Sequence, residues 1–268
     1  MPLSERTIDL GIRDLRAAPG DHIAYFWEND REFEAATGFL EQGILNGEHV
    51  VVFGFDDAND RVLEVLERKG VDWRALLKQE RMSVLGPEST GELMLSRIGA
   101  TFRRALDGGA PMIRLLGNIG WGHGGWPDEV DILRFEARVT GAAKSLPCII
   151  VCMYDINYLS GSVVLHGAFG THPLTIYQNL VRENPMCMDV EEYLERLATR
   201  GDRDVDQHAE RRGEQIAAGA VLGTAPQLDE HAVCHRADQV ARHQLETDRG
   251  SDGTVGAERM HIDHGALG

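Results

Sequence analysis

Lysine is scarce in this chain, and no lysine stands in a phosphate-binding motif. The three lysines are Lys69, Lys78 and Lys144, and none lies in a GxxxxGK[ST] sequence. The turn after the first buried strand, where such a loop would lie, contains Glu28 and Asp30. Their carboxylates would repel phosphate. We therefore expect no ATP site, no bound cofactor and no nucleotide hydrolysis.

Excess positive charge and long apolar runs are also missing. The formal net charge is −16, whereas a nucleic-acid-binding surface needs basic side chains. No apolar run approaches the roughly 20 residues that span a bilayer. The opening segment MPLSERTIDLGIRDL has no apolar core of the kind found in signal peptides. We therefore expect a cytoplasmic protein with no direct nucleic-acid partner and no membrane contact.

Recognisable catalytic and disulfide motifs are absent as well. The chain has no HExxH and no GxSxG sequence. Its four cysteines show no CxxC spacing, and Cys148 and Cys152 would lie about 13 Å apart along one strand. That separation is too large for a disulfide. The sequence thus predicts a non-catalytic protein with reduced thiols.

Aromatic residues stop at Tyr193, and this change in composition marks a domain boundary. Residues 200–268 contain no Phe, Tyr or Trp and are rich in Gly, Asp, Arg, Gln and His. Such a segment buries too little apolar surface to offset its ordering entropy. We predict one folded domain over residues 1–199 and a low-complexity, disordered tail over 200–268.

The first 199 residues alternate apolar runs with amphipathic stretches. Strands are predicted at HIAYFW (22–27), VVVFGF (50–55), RMSVL (81–85), MIRLL (112–116), PCIIVCMYD (147–155) and LTIYQ (174–178), with helices between them. The helix over 31–45 has Asn29 as its N-cap and Glu32 as a capping-box partner. This alternation predicts an α/β fold in three layers, with a mainly parallel sheet and helices on both faces.

Ligands of open parallel sheets bind beyond the carboxyl ends of the strands. The segment GNIGWGHGGW places Trp121 and His123 there, and YDINY places Tyr154 and Asp155 there. His172 precedes the strand at 174–178 and would lie at the same edge if that strand ran antiparallel. We predict that these five residues line a crevice for a small molecule, with the aromatic rings as an apolar wall.

Several of these side chains also have a purely structural interpretation. The tryptophans of the glycine-rich segment could form a lid over the sheet edge, and Asp155 could be a turn residue. Cys152 is either a metal-binding or reactive thiol or a small buried hydrophobe. For Glu136, on the helix after the glycine-rich segment, a solvated or paired carboxylate is favoured.

The order of the segments resembles the MEDS domain, a sensory domain named for methanogen and methylotroph regulators of dichloromethane metabolism. The matching segments are GDHIAYFWEND, FLEQGILNGEHVVV, RLLGNIGW, RFEARV, VCMYD and THPLTIYQ…ENP, which together span roughly residues 15–197. The resemblance implies a fold similar to the RecA-like and KaiC-like ATPases, in this chain with a degenerate phosphate loop.

The resemblance also adds His22 and Tyr25, which match the family's GDHI stretch. His22 is either a ligand or metal donor with a pKa near neutrality, or a histidine that hydrogen-bonds the turn before it. A metal site built from His22, Cys152 and His172 is a weak candidate. Because His22 begins its strand, we expect its level in the sheet to separate it from Cys152.

The function implied by the resemblance is signal input. We expect a cytosolic sensory domain that binds a small organic molecule and signals to a separate partner, such as a histidine kinase, an anti-sigma factor or a transcription regulator. Two alternatives stay open, namely a scaffold that binds only other proteins and a metal-dependent enzyme.

Overall fold

A computed structural model describes residues 7–199 and confirms the predicted α/β fold. The strands are β1 (Ile8–Asp9), β2 (Arg16–Ala17), β3 (His22–Trp27), β4 (His49–Gly54), β5 (Met82–Leu85), β6 (Ile113–Asn118), β7 (Cys148–Asp155), β8 (Leu174–Tyr177) and β9 (Leu180–Glu183). The helices are α1 (Asp30–Leu45), α2 (Asp56–Arg68), α3 (Trp73–Lys78), α4 (Gly91–Asp107), α5 (Glu129–Ala143), a π-helix (Val163–Phe169) and α6 over 190–199. The predicted disordered tail, residues 200–268, lies outside the described residues.

Seven strands form the central sheet in the order β5-β4-β6-β7-β3-β8-β9. All neighbours pair in parallel except β8 and β9, which form an antiparallel hairpin. The carboxyl ends of β3, β4, β6 and β7 therefore meet at one edge of the sheet. Strands β1 and β2 form a separate small antiparallel pair.

The sheet has a hydrophobic core on each face, as expected of a three-layer fold. In β4, Val50 and Val52 face the core that contains α1, α2 and α3, whereas Val51 and Phe53 face the core that contains α4, α5 and the π-helix. Every residue of this strand is buried, which explains why residues 50–53 are all apolar rather than alternating. No helix within residues 7–199 is both long and apolar enough to cross a bilayer.

The direction of β8 corrects one expectation about the site. Strand β8 pairs in parallel with β3, and Leu174 lies opposite Ile23. His172, which precedes β8, therefore lies at the level of the amino-terminal end of β3, away from the edge where Asp155 ends β7. The sequence allowed either direction, because a long connection and a short apolar strand fit both.

Candidate functional site

A cleft of about 430 Å³ lies at the carboxyl ends of β3, β4, β6 and β7. This is the edge at which open parallel sheets bind ligands, and the volume falls within the usual range of about 300–1,000 Å³ for small-molecule sites. Three of the predicted crevice residues line it, and they are Trp121, His123 and Asp155.

One wall of the cleft is built by the junction between β3 and α1. Trp27 ends the strand, and its ring meets the ring of Phe33 nearly edge-on with centroids 5.2 Å apart. The guanidinium of Arg61 lies 3.8 Å above the Phe33 ring and donates a 2.8 Å hydrogen bond to Asp30. The cation is thus held by a carboxylate and by aromatic faces.

The same junction leaves little for a phosphate group to bind. Asn29 caps α1, and its side chain accepts a hydrogen bond from the backbone N–H of Glu32 at 3.1 Å. The carboxylate of Glu32 in turn accepts from the backbone N–H of Glu28 at 2.8 Å. The chain thus satisfies two of the amides at this junction itself, and the carboxylates of Asp30 and Glu32 add negative charge in the first turn of α1. Both features make the terminus less favourable for an anion.

The glycine-rich segment after β6 forms another wall. The ring of His123 stacks on that of Phe55 at 4.1 Å. Trp126 packs instead against Phe53, with centroids 5.6 Å apart, and does not line the cleft. The glycine-rich segment therefore presents Trp121 and His123 to the cleft, whereas Trp126 packs against the domain.

Two hydrogen-bond donors of the cleft-lining side chains are unused. Asn118 Nδ2 and Trp121 Nε1 are buried, and neither has a hydrogen-bond partner within residues 7–199. A buried polar group without a partner is costly. The polar lining of the cleft includes Asn118 and Trp121, whose donors are buried, together with His123 and the charged side chains of Asp57, Arg61 and Asp155.

The other predicted residues lie elsewhere, which corrects the prediction of a single crevice. Tyr25 faces the core on the α1 side, and its hydroxyl donates to the Glu32 carbonyl at 2.8 Å. Burial raises its pKa to about 12. His22, Cys152, Tyr154 and His172 lie together on the opposite face of the sheet, beneath α5 and the π-helix.

These four side chains surround Glu136 of α5 and form a fully buried cluster. The imidazole Nε2 of His22 lies 3.2 Å from Cys152 Sγ and 3.4 Å from Glu136 Oε2. His172 Nε2 lies 3.5 Å from the same Glu136 oxygen. The Tyr154 hydroxyl donates to Glu136 Oε1 at 3.1 Å. The expectation that sheet level separates His22 from Cys152 is therefore wrong.

The register of the strands explains this error. His22 pairs with Ile150, two residues before Cys152 and on the same face of the sheet. That offset is about 6.6 Å along the strand, which a long imidazole side chain leaning along the strand spans easily. The position of a residue along its strand does not by itself decide whether a long side chain contacts its diagonal neighbour on the next strand.

Burial changes the pKa of each titratable side chain in the cluster in the direction that favours its uncharged form. Loss of solvation raises the pKa of Glu136 to about 8 and lowers that of His172 to about 3. The pKa of His22 also falls well below its ordinary value, because of burial and then the nearby His172. Burial and the neighbouring Glu136 raise the pKa of Cys152 well above that of a free thiol. Each of these shifts favours the uncharged form of its group.

Sequence reasoning favoured a solvated or paired carboxylate for Glu136 and did not single out Asn118. Glu136 lies in an amphipathic helix, where a carboxylate is usually solvated, and only the packing of α5 on the sheet buries it completely. A weak signal was available, because Ile132, Phe135, Glu136 and Val139 recur at the helical spacing of a buried face. Asn118 is the last residue of the mostly apolar strand β6, and no local motif marked it as a site residue.

Comparison with known proteins gives one family match. The model of a family described as MEDS, the methanogen/methylotroph DcmR sensory domain, matches residues 21–173, more than half of the chain. The matched range contains both the cleft and the buried cluster. No curated protein matches the chain.

Proposed function

Because the chain belongs to the MEDS family of sensory domains, we propose that it binds a small organic molecule in the carboxyl-edge cleft and signals this binding to a partner protein. The observation that supports the proposal best is the pairing of an aromatic-lined cleft with two unused hydrogen-bond donors, Asn118 Nδ2 and Trp121 Nε1. A few polar groups in a mostly apolar concavity are the usual composition of a small-molecule site.

The donors define the chemical class of the ligand. An N–H group needs an acceptor, such as a carbonyl, hydroxyl or carboxylate oxygen, and the rings of Trp27, Phe55 and Trp121 need an apolar body. The cleft also contains Asp57 and Asp155, and its cation Arg61 is already engaged by Asp30. The ligand is therefore a small, largely apolar molecule with a hydrogen-bond acceptor and little or no negative charge.

Signalling requires that the ligand favour one of two arrangements of the protein. Trp121 is the residue best placed for this role, because it lines the cleft and also contacts the π-helix, where an ideal Cβ on Gly167 would lie 3.2 Å from its ring. A ligand that moves the indole would shift the π-helix. A separate protein in the cytoplasm, such as a histidine kinase, an anti-sigma factor or a transcription regulator, would detect that shift, and no catalytic step is needed.

The experiment uses the full chain and its intrinsic tryptophan fluorescence. Short alcohols, ketones, carboxylic acids and haloalkanes are titrated singly, and binding is followed by emission and by thermal shift. Trp121→Phe removes one donor and is compared with Trp73→Phe, a matched control on α3 away from the cleft. For an acceptor-bearing compound we expect up to about tenfold weaker binding in Trp121→Phe, equivalent to one hydrogen bond of about 1.4 kcal/mol.

Three outcomes are informative. Saturable binding that Trp121→Phe weakens and Trp73→Phe leaves unchanged supports the cleft. Binding that ignores Trp121→Phe and an added Asn118→Ala places the ligand elsewhere and contradicts the proposal. No binding by any compound, together with specific capture of a protein partner, favours the scaffold function instead.

A further inference from the structure

The buried cluster of His22, Glu136, Cys152 and His172 offers one nitrogen, oxygen or sulfur atom from each residue. These four atoms all lie within 4.8 Å of one another. They come from four different elements, namely β3, α5, β7 and the turn before β8. We infer that this cluster is a closed metal site that binds one Zn²⁺ ion through His22 Nε2, Glu136 Oε2, Cys152 Sγ and His172 Nε2.

The spacing of the donor atoms fits a tetrahedral ion. Zinc binds nitrogen, oxygen and sulfur at about 2.0–2.3 Å, which places the ligands of a tetrahedral site roughly 3.3–3.8 Å apart. Four of the six separations are 3.2 Å (His22 to Cys152), 3.4 Å (His22 to Glu136), 3.5 Å (His172 to Glu136) and 3.9 Å (Cys152 to Glu136). The other two, from His172 to His22 and to Cys152, are within 4.8 Å, so the four atoms are close to the spacing that a tetrahedral ion requires.

Both imidazole rings are oriented as metal ligands usually are. His22 Nδ1 lies 2.8 Å from the Thr140 hydroxyl oxygen, and that hydroxyl donates to the Thr171 carbonyl at 2.6 Å. Thr140 therefore accepts from His22, which fixes the proton on Nδ1 and leaves the Nε2 lone pair facing the cluster. Ligating histidines are typically oriented by such a hydrogen bond from the other ring nitrogen.

His172 follows the same pattern. Its Nδ1 lies 3.0 Å from the Ala168 carbonyl, which can only accept a hydrogen bond. The proton is therefore on Nδ1, and Nε2 carries a lone pair. This Nε2 is completely buried and has no hydrogen-bond partner within residues 7–199, although it faces Glu136. An unpartnered lone pair directed at three other donor atoms indicates that a cation belongs between them.

Charge balance is consistent with a divalent ion, which would bind as Glu136 and Cys152 release their protons. A carboxylate and a thiolate with two neutral imidazoles carry a charge of −2, which one Zn²⁺ cancels completely. A neutral assembly avoids the large cost of an unpaired charge in the protein interior. The Tyr154 hydroxyl, which donates to the other oxygen of Glu136, would hold that carboxylate in place from outside the ligand set.

The arrangement favours a structural or regulatory ion over a catalytic one. Catalytic zinc sites keep one position for water or substrate, whereas sites with four protein ligands are closed. Here all four ligands are buried, and the ion would fasten the turn before β8 to β3, β7 and α5. The inference is independent of the ligand proposed for the cleft, because none of the four residues lines that cleft.

The test begins with the metal content of the full-length protein. Protein purified from zinc-supplemented medium is analysed for bound metal. A second sample is unfolded in chelator and refolded with or without one equivalent of Zn²⁺. We expect about one zinc per chain and a higher melting temperature in the zinc-refolded sample. Refolding with Co²⁺ should give the charge-transfer absorption of a cobalt–thiolate bond.

Cysteine variants identify the site. Cys152→Ala should abolish the cobalt–thiolate band and weaken zinc binding at least about 100-fold, since loss of even an outer partner of a ligand costs 10- to 100-fold. Cys148→Ala is the matched control, because Cys148 is a buried thiol on the same strand and in the same core. Cys234→Ala tests the cysteine that lies outside the described residues. Both controls should retain the band.

The inference is overturned if the wild-type protein takes up no zinc and is not stabilised by it. It is overturned equally if the cobalt–thiolate band survives Cys152→Ala or disappears in Cys234→Ala. Should Cys152→Ala fail to fold, Glu136→Gln gives a second test, because it preserves the shape of the side chain and removes the charge. Zinc retention by folded Glu136→Gln at wild-type affinity would contradict the proposed ligand set.

Discussion

At the scale of single residues, Arg114 is a fully buried charged side chain with several hydrogen-bond partners. It lies on β6 with no solvent exposure, and its guanidinium pairs with Glu48. The same group donates to the carbonyls of Asp9, Leu10 and Phe39 at 2.9, 3.1 and 3.3 Å. One side chain thus ties the N-terminal segment to α1 and the sheet.

Arg114→Lys is expected to destabilise the protein although the charge is kept. A lysine ammonium is a compact donor and cannot reproduce the planar fork that reaches a carboxylate and several carbonyls at once. We expect the free energy of unfolding to fall by about 2–4 kcal/mol, because buried acceptors lose their partners. Chemical denaturation measures this loss, with Arg97→Lys as the control.

The control tests whether burial is the cause. Arg97 pairs with Glu88 at the surface, where both side chains are partly exposed, and exposed pairs contribute about 0–1 kcal/mol. Arg97→Lys should therefore leave the stability nearly unchanged. Equal effects of the two substitutions would show that the buried guanidinium of Arg114 contributes no more to the free energy of unfolding than an exposed one does.

The candidate site could be predicted only in part from individual residues. The sequence placed Trp121, His123 and Asp155 correctly at the sheet edge, because strand ends are visible as boundaries of apolar runs. It did not place Glu136 and His172, since their positions depend on helix packing and on the direction of β8. The positions of strand ends predict where the backbone lies at the sheet edge. A buried side-chain cluster also depends on how the helices pack on the sheet, which the strand ends do not reveal.

At the scale of elements, the parallel strands and their crossover helices were largely predictable. The strand HIAYFW coincides with β3, and Asn29 caps α1 as the spacing indicated. Strand β9 was missed because it is an exposed edge strand with a polar sequence. The segment after β7 is a π-helix. Hydrophobic periodicity does not distinguish this kind of helix from an α-helix, and π-helical turns often occur at functional sites.

Gly167 tests whether the π-helix connects the cleft to the buried cluster. A Cβ on this glycine would lie 3.2 Å from the Trp121 ring and 3.5 Å from the Tyr154 hydroxyl. We expect Gly167→Ala to displace the indole, change its fluorescence emission and lower stability by about 1–3 kcal/mol through overpacking.

Gly161→Ala is the matched control in the same segment. A Cβ at Gly161 would meet nothing within 4 Å, so this substitution should be neutral or slightly stabilising by restricting the unfolded chain. A fluorescence change of the same size in both variants would mean that Trp121 does not sense the π-helix specifically. Fluorescence and thermal unfolding of the two proteins decide between these results.

At the scale of the whole molecule, the fold and the charge of the chain point in different directions. A parallel sheet with a cleft at its carboxyl edge is an architecture suited to nucleotides, yet the chain carries a net charge of −16. At the β3–α1 junction, where phosphates would bind, the backbone amides of Glu28 and Glu32 already donate to the side chains of Glu32 and Asn29. The architecture therefore offers a cavity while the local chemistry disfavours a polyanion.

We accordingly predict that MgATP neither stabilises the protein nor is hydrolysed by it. Millimolar MgATP should leave the melting temperature of the full chain unchanged, and no phosphate release should exceed the buffer rate. Asp30→Asn combined with Glu32→Gln removes two negative charges at the start of α1. This double variant tests whether charge repulsion or the shape of the junction prevents ATP binding. We expect this variant to remain inert, because it still lacks a lysine and a glycine-rich loop of free amides. ATP binding by the variant alone would mean that repulsion is the only barrier, and binding by the wild type would show that the junction still accepts phosphate.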